Sequence, residues 1–239
     1  MCGSRPIACA IHQPNLLPRL STLAKLCAAD SWIVLDDVQF AARDYQHRAR
    51  LAGLDCPGHQ QWLTLPVHRP HGRASLIRDV RVLQPAVSRR RLIRLTQQYY
   101  GRSTHWSAIR EILDQVLEIW DRSDRLSDIA ETSTRAMLHA MGWTGTVYRS
   151  QDLSARAGRS QRLADLASTV GAEVYVCGTG GAGYLDMNPF LDAGLTVRFL
   201  NITPGAGIWQ AARQVSALRA FALEGAARVI DALRAVSPQ

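Results

Sequence analysis

Apolar positions recur along this chain in two rhythms. "PIACAIHQ" (residues 6–13) is a short, nearly continuous apolar run, the pattern of a strand covered on both faces. In "LSTLAKLCAAD", Leu20, Leu23, Ala24, Leu26 and Cys27 fall at a spacing near 3.6, which predicts a helix. "SWIVLDD" then sets Trp32, Ile33, Val34 and Leu35 in an unbroken run, a second buried strand. Strand, helix and strand within roughly thirty residues form a βαβ unit, which demands a right-handed crossover and a parallel pair.

Further on, "QWLTLPV" predicts a strand over residues 62–67, followed by a His/Pro/Gly loop and a second short strand. Three amphipathic helices follow, "AVSRRRLIRLTQQYYG", "HWSAIREILDQVLEIW" and "RLSDIAETSTRAMLHAMGW", with Ser127 as an N-cap and Gly101 and Gly142 as stops. "GTVYRSQDL" is strand-like. The α/β rhythm then returns: a helix over 160–170 ended by Gly171, the strand "EVYVCG", a glycine-rich turn, the short helix "YLDMNPFLDAG" and the strand "TVRFLN". The expected plan is one α/β domain over residues 1–239. It is built on a single Rossmann-like, mostly parallel sheet, with a helical insertion at about 86–142 and a helical C-terminal segment at about 206–236.

Composition narrows the class. Apolar content of 47% and charged content of 20% fit a folded globular protein and exclude a disordered one. The apolar runs break too early to span a bilayer, and the N-terminus lacks the apolar core of a signal peptide, so a cytoplasmic protein without membrane contact is expected. Five scattered cysteines with no C-x-x-C spacing exclude a disulfide framework and a zinc ribbon. The net charge is +8, and 27 of the 28 basic residues are arginine, Lys25 being the exception. A positive field of this sign favours acidic partners, although an arginine-rich composition can also solvate helix faces.

Candidate chemistry gathers at the strand ends. Open α/β sheets bind ligands beyond the carboxyl ends of their strands. Here those ends read "IHQPN", "LDDVQF" and "CGTGGAGYLD". Convergence would assemble His12, Gln13, Asn15, Asp36, Asp37 and Gln39 with Gly178, Gly180 and Gly181 around one cleft. His12 can serve as a general base or hold an oxyanion, and Asn15 can donate its amide to developing charge. Asp36 and Asp37 alternate along the chain, so at most one faces the cleft. The glycine turn suits an anion cradled by backbone N–H groups, without matching a dinucleotide fingerprint or a P-loop. Cys177 is either a nucleophile or a buried thiol. His68 and His71 form a His-x-x-His in a proline loop, a weak ligand pattern, and no metal or cofactor is expected.

The segments "AIHQPNLLP", "AADSWIVLDDVQF", "YQHRARL", "QWLTLPV" and "GRSQRLADLASTVGAEVYVCGTGGAGYLD" together resemble the WbqC-like protein family, over about residues 6–203. The resemblance implies a bacterial enzyme of O-antigen modification or natural-product biosynthesis that transfers glycine or another acyl group onto an amine. It also implies roles for the matching positions: His12, Asn15, Asp36 and Asp37 in catalysis, and Gln13, Gln39, Gln46, Arg48, Arg162, Gly178, Gly180, Tyr184 and Asp186 in binding substrate. Departures are His47 where the family pattern has asparagine, "RLSTL" in place of an aromatic-Gly-aromatic segment, and the C-terminal "QVSALRAFALEG". The resulting expectation is an acyltransferase forming an amide or ester on a small-molecule amine. Its donor would be a CoA thioester, an acidic carrier protein or an aminoacyl-tRNA. "HQPN" is also similar to the His-x-Gly-His/Asn signature of nucleotidylyltransferases, which makes ATP-dependent adenylation the alternative enzyme. A binding module for an anionic ligand is the non-catalytic alternative.

Overall fold

A computed structural model describes residues 5–178, 180–181, 183–202 and 205–235. The chain opens with the strand β1 (Ala8–His12), the helix α1 (Leu20–Cys27) and the strand β2 (Ser31–Val34). An excursion follows: a hairpin of β3 (Arg48–Ala52) and β4 (Gln60–Thr64), a short pair of β5 (Val67–His68) and β6 (Arg81–Val82), then the helices α2 (Pro85–Tyr100), α3 (Trp106–Trp120) and α4 (Leu126–Ala140). The chain re-enters the sheet at β7 (Thr146–Arg149) and crosses through α5 (Arg159–Thr169) to β8 (Val174–Gly178). It finishes with the short helix α6 (Asn188–Asp192), β9 (Thr196–Leu200) and α7 (Leu218–Arg234).

The main sheet has five strands in the order β7-β2-β1-β8-β9, and every neighbouring pair is parallel. The expected α/β fold with a Rossmann-like parallel sheet is therefore what the chain forms. Alternation along the strands divides the core in two. Ala8, Ala10, Trp32, Val34, Val174 and Val176 meet Leu20, Leu23 and the apolar faces of α3, α4 and α7 on one side. Cys9, Ile11, Ile33, Tyr175 and Cys177 meet Ala164, Leu166 and Phe190 on the other. Both faces are covered, which is why these strands read as continuous apolar runs rather than alternating ones.

Several local expectations change. Ser127 lies inside the first turn of α4, whose cap is the extended Arg125, with no side-chain cap bond. The β3–β4 hairpin has no counterpart in the sequence reading, and the strand expected over 62–67 divides into the end of β4 and β5. The short helix covers only Asn188–Asp192. The helical tail begins at Leu218, because residues 207–209 form a 3-10 turn and Ala211 adopts φ 60. Val236, the last residue expected to be helical, lies outside the described residues. Gly142 (φ +74) and Gly171 (φ +70) end their helices in the left-handed region, as expected of C-terminal glycines.

Candidate functional site

The strand order makes β1 and β8 neighbours whose chains leave in opposite directions, the topological switch point at which open α/β sheets bind ligands. A cavity of about 820 Å³ lies there. Its walls include His12 at the end of β1 with Gln13 and Asn15 after it, Arg19 and Lys25 at the cap and within α1, Gly158, Arg159 and Arg162 at the start of α5, Tyr175, Cys177, Gly178, Gly180 and Gly181 around the end of β8, Tyr184, and Arg213.

The turn after β1 is held from a distance. The backbone carbonyl of Asn15 accepts hydrogen bonds from Ser133 Oγ and Thr134 Oγ1 of α4, both at 3.1 Å. The Leu17 N–H donates to the same Ser133 Oγ at 2.9 Å, which sustains Leu17 at a left-handed φ of 44. Such a conformation costs about 1–2 kcal/mol for a residue with a Cβ. Two buried hydroxyls on a helix face that packs on the sheet explain how it persists.

His12 continues the alternation of β1 toward the α1 side, and its Nε2 lies 3.3 Å from Asn15 Oδ1. A carbonyl oxygen only accepts, so Nε2 carries the proton and Nδ1 holds the lone pair. Burial, with the Lys25 and Arg19 cations nearby, pushes the His12 pKa down to about 3. The imidazole is therefore neutral across the physiological range. It is a weak proton acceptor, which counts against the general-base role expected for it.

Lys25 was not singled out from the sequence as a site residue. It is buried in the cavity wall, and its Nζ donates to the Ile11 carbonyl at 2.6 Å. Burial lowers its pKa to about 8. Arg19, Arg159 and Arg213 were also overlooked. Arg19 lies over the Tyr45 ring at 4.0 Å and Arg159 over the Tyr184 ring at 3.5 Å. Against five cations, Arg19, Lys25, Arg159, Arg162 and Arg213, the cavity wall carries one carboxylate, Asp44. A second, Asp37, pairs with Arg162 from behind. The α5 N-terminus adds to this field: its cap is Gly158 at φ +105, no side chain caps it, and its first turn holds no acid.

The predicted residues divide accordingly. His12, Gln13, Asn15, Arg162, Gly178, Gly180, Gly181 and Tyr184 share the cavity. Gln46 stands behind it and donates from Nε2 to Gln13 Oε1 at 2.7 Å. Arg48 is turned away: it stacks over Trp62 at 4.2 Å and donates to the carbonyls of Arg43 and Asp44. Gln39 is exposed and donates to the Arg73 carbonyl. Asp186 is exposed and accepts from the Asn188 N–H at the start of α6. Cys177 is a free thiol in the wall, held in its protonated form by burial. His68 and His71 are exposed.

The aspartate pair separates as alternation requires. Asp37 turns toward α5, accepting from Arg162 and from Ser150 Oγ. Asp36 turns the other way, into a second cavity of about 440 Å³ rimmed by Arg78, Arg81, Arg125 and Arg149. Asp36 is fully buried, and neither carboxylate oxygen has a hydrogen-bond partner. Burial raises its pKa from 3.8 to about 6, against the pull of Arg149.

The doubly covered parallel sheet thus carries its main cavity at the switch point, the place where open α/β sheets bind ligands. The chain belongs to the WbqC-like protein family, whose model matches residues 13–211. It is also similar to a Mycobacterium tuberculosis protein named "Uncharacterized protein Rv1507c", 24% identical over 195 residues that cover 80% of this chain and 81% of that one. No solved structure gives a significant match. Among the described residues no helix is long and apolar enough to cross a membrane.

Proposed function

We propose that this chain is an acyl or aminoacyl transferase that moves an acyl group from an activated, anionic donor onto an amine at the switch-point cavity. Membership of the WbqC-like family favours an enzyme. The observation that carries the reading is the charge of the cavity, five cations against Asp44 and the partnered Asp37. Both a CoA thioester and an aminoacyl-tRNA bring phosphates to such a field. Arg159, Arg213 and the uncapped start of α5 suit those phosphates, and Arg162 takes part while tied to Asp37. The Asn15 side-chain amide, oriented by the His12 Nε2–H on its Oδ1, is a neutral donor for a developing oxyanion. The acceptor's amine then enters beside Gln13 and Tyr184.

Nucleotidyl transfer is the second reading, favoured by one specific feature: "HQPN" ends the first strand of a sheet whose order has its switch point there. Thermal-shift titrations separate the two. The ligands are acyl-CoA thioesters, charged tRNA and ATP with magnesium, each tested on the wild type and on Arg213→Ala. A ligand at about 100 times its Kd adds roughly 2.7 kcal/mol. Stabilisation by thioester or charged tRNA, weakened in Arg213→Ala, is the expected result. Stabilisation by ATP alone overturns acyl transfer in favour of nucleotidyl transfer.

A further inference from the structure

The one lysine of the chain stands inside its main cavity. Every other basic residue is an arginine, a group that stays charged at any pH a protein survives, whereas a lysine amine can shed its proton when buried. The surroundings of Lys25 are those that make it do so. The groups facing it are Cys9 and His12 from β1, Arg19 at the head of its own helix, and Tyr175 and Cys177 from β8. None is an acid that ionises near neutral pH: burial holds both thiols and the Tyr175 phenol protonated, and His12 is neutral. Among the described residues no carboxylate forms an ion pair with it. One N–H is spent on the Ile11 carbonyl, and its Cδ lies 3.7 Å from where a Cβ on Gly178 would stand. The amine is thus fixed between the end of β1 and the glycine turn, beside His12.

We propose that Lys25 is the proton acceptor of the transfer step: as the acceptor nitrogen bonds to the acyl carbon, the proton on that nitrogen passes to the Lys25 amine. The bond from the acyl carbon to the donor's sulfur or oxygen then breaks with its electron pair, and the ammonium of Lys25 returns the proton to that leaving atom. Acceptor amine and acylated donor become amide and free thiol or hydroxyl, and Lys25 is regenerated. This rests on the acyl-transfer reading. It assigns to Lys25 the task that His12 is too weakly basic to perform, and leaves His12 and Asn15 to position the carbonyl. A purely structural lysine, one that only ties α1 to the Ile11 carbonyl, is the competing account.

The single lysine makes the test direct. Trace labelling with acetic anhydride from pH 6 to 11, read by peptide mass spectrometry, follows the neutral fraction of the Lys25 amine. The expected midpoint is near pH 8, against about 10.4 for an ordinary lysine. In parallel, thiol release from acetyl-CoA onto a small amine is followed against pH for the wild type and for Lys25→Met, which keeps the apolar stem. The expected loss is at least a hundredfold, within the about 10²–10⁴ range of general-base catalysis, with the limb near pH 8 removed. A labelling midpoint at pH 10 or above, or a Lys25→Met enzyme within tenfold of wild type with its limb intact, overturns the proposal. Should the wild type transfer no acyl group from any donor, the acyl-transfer reading fails and this role for Lys25 fails with it, whereas a normal midpoint in an active enzyme overturns the role alone.

Discussion

Replacing Asp36 with asparagine is expected to gain stability relative to the wild type as pH rises, an unusual direction for a change at a buried polar position. Asp36 is fully enclosed, its oxygens have no hydrogen-bond donor, and burial raises its pKa from 3.8 to about 6. Its folded-state pKa is above the unfolded one, so the folded state binds the proton more tightly. The carboxyl costs nothing well below pH 3.8, where it is protonated in both states. As pH rises toward and through 6 the unfolded chain ionises freely and the folded one does so at a penalty. Each pKa unit is worth about 1.4 kcal/mol, so the penalty reaches about 3 kcal/mol by pH 8. For a chain of this length 1 kcal/mol moves the Tm by about 2–4 °C. The assay is thermal or urea unfolding of the wild type and Asp36→Asn from pH 4 to pH 8. The quantity read is the change in their difference with pH, which cancels the cost of burying the new amide. The advantage of Asp36→Asn is expected to grow by about 5–10 °C over that range, most steeply around pH 5, midway between the two pKa values. A difference that stays flat, or shrinks as pH rises, refutes the argument and implies that a donor or cation satisfies Asp36.

Other expectations follow from packing and charge. A Cβ on Gly181 would overlap the Cys177 sulfur, so Gly181→Ala is expected to cost about 1–3 kcal/mol in urea unfolding, and most of that should return in Gly181→Ala/Cys177→Ala. Phe190, fully buried and stacked on Tyr175 at 5.1 Å, anchors the α5/α6 face, and Phe190→Ala is expected to lower stability by about 3–5 kcal/mol. Binding of a phosphate-bearing ligand is expected to weaken as salt rises from 50 to 200 mM, and the salt slope should be shallower in Arg213→Ala, as read by isothermal titration.

The sheet was legible because its strands are buried on both faces and its helices carry one apolar stripe each. Periodicity also predicted that the Asp36 and Asp37 side chains must part. The site was legible only in its β1 and β8 segments, where unusual residues interrupt apolar runs. Lys25 was hidden because a single cation in "LSTLAKLCAAD" looks like the solvent face of an amphipathic helix. Only the third dimension shows that this position turns under the end of β1. Arg159 opens its helix, ahead of the apolar stripe that orients the rest, and Arg213 lies in a stretch expected to be helical that instead forms turns before α7. Arg48 was misplaced because the β3–β4 hairpin was not foreseen, although "RARLA" alternates half-buried arginines with buried apolar residues, and stacking on Trp62 draws the guanidinium away from the cavity.

The hydroxyls of Ser133 and Thr134 have a consequence for how the protein is made. They reach back 116 to 119 positions to hold the turn after the first strand. A nascent chain can pair β1 with β2 early, since those contacts are local, and Gln46 can reach Gln13 soon after, but Asn15 and Leu17 lack the hydroxyls that hold them until α4 has emerged and docked. Closure of so long a loop is slow compared with the local pairing. Synthesis halted before residue 133 would thus leave a chain with its first βαβ unit assembled and its chemistry unset.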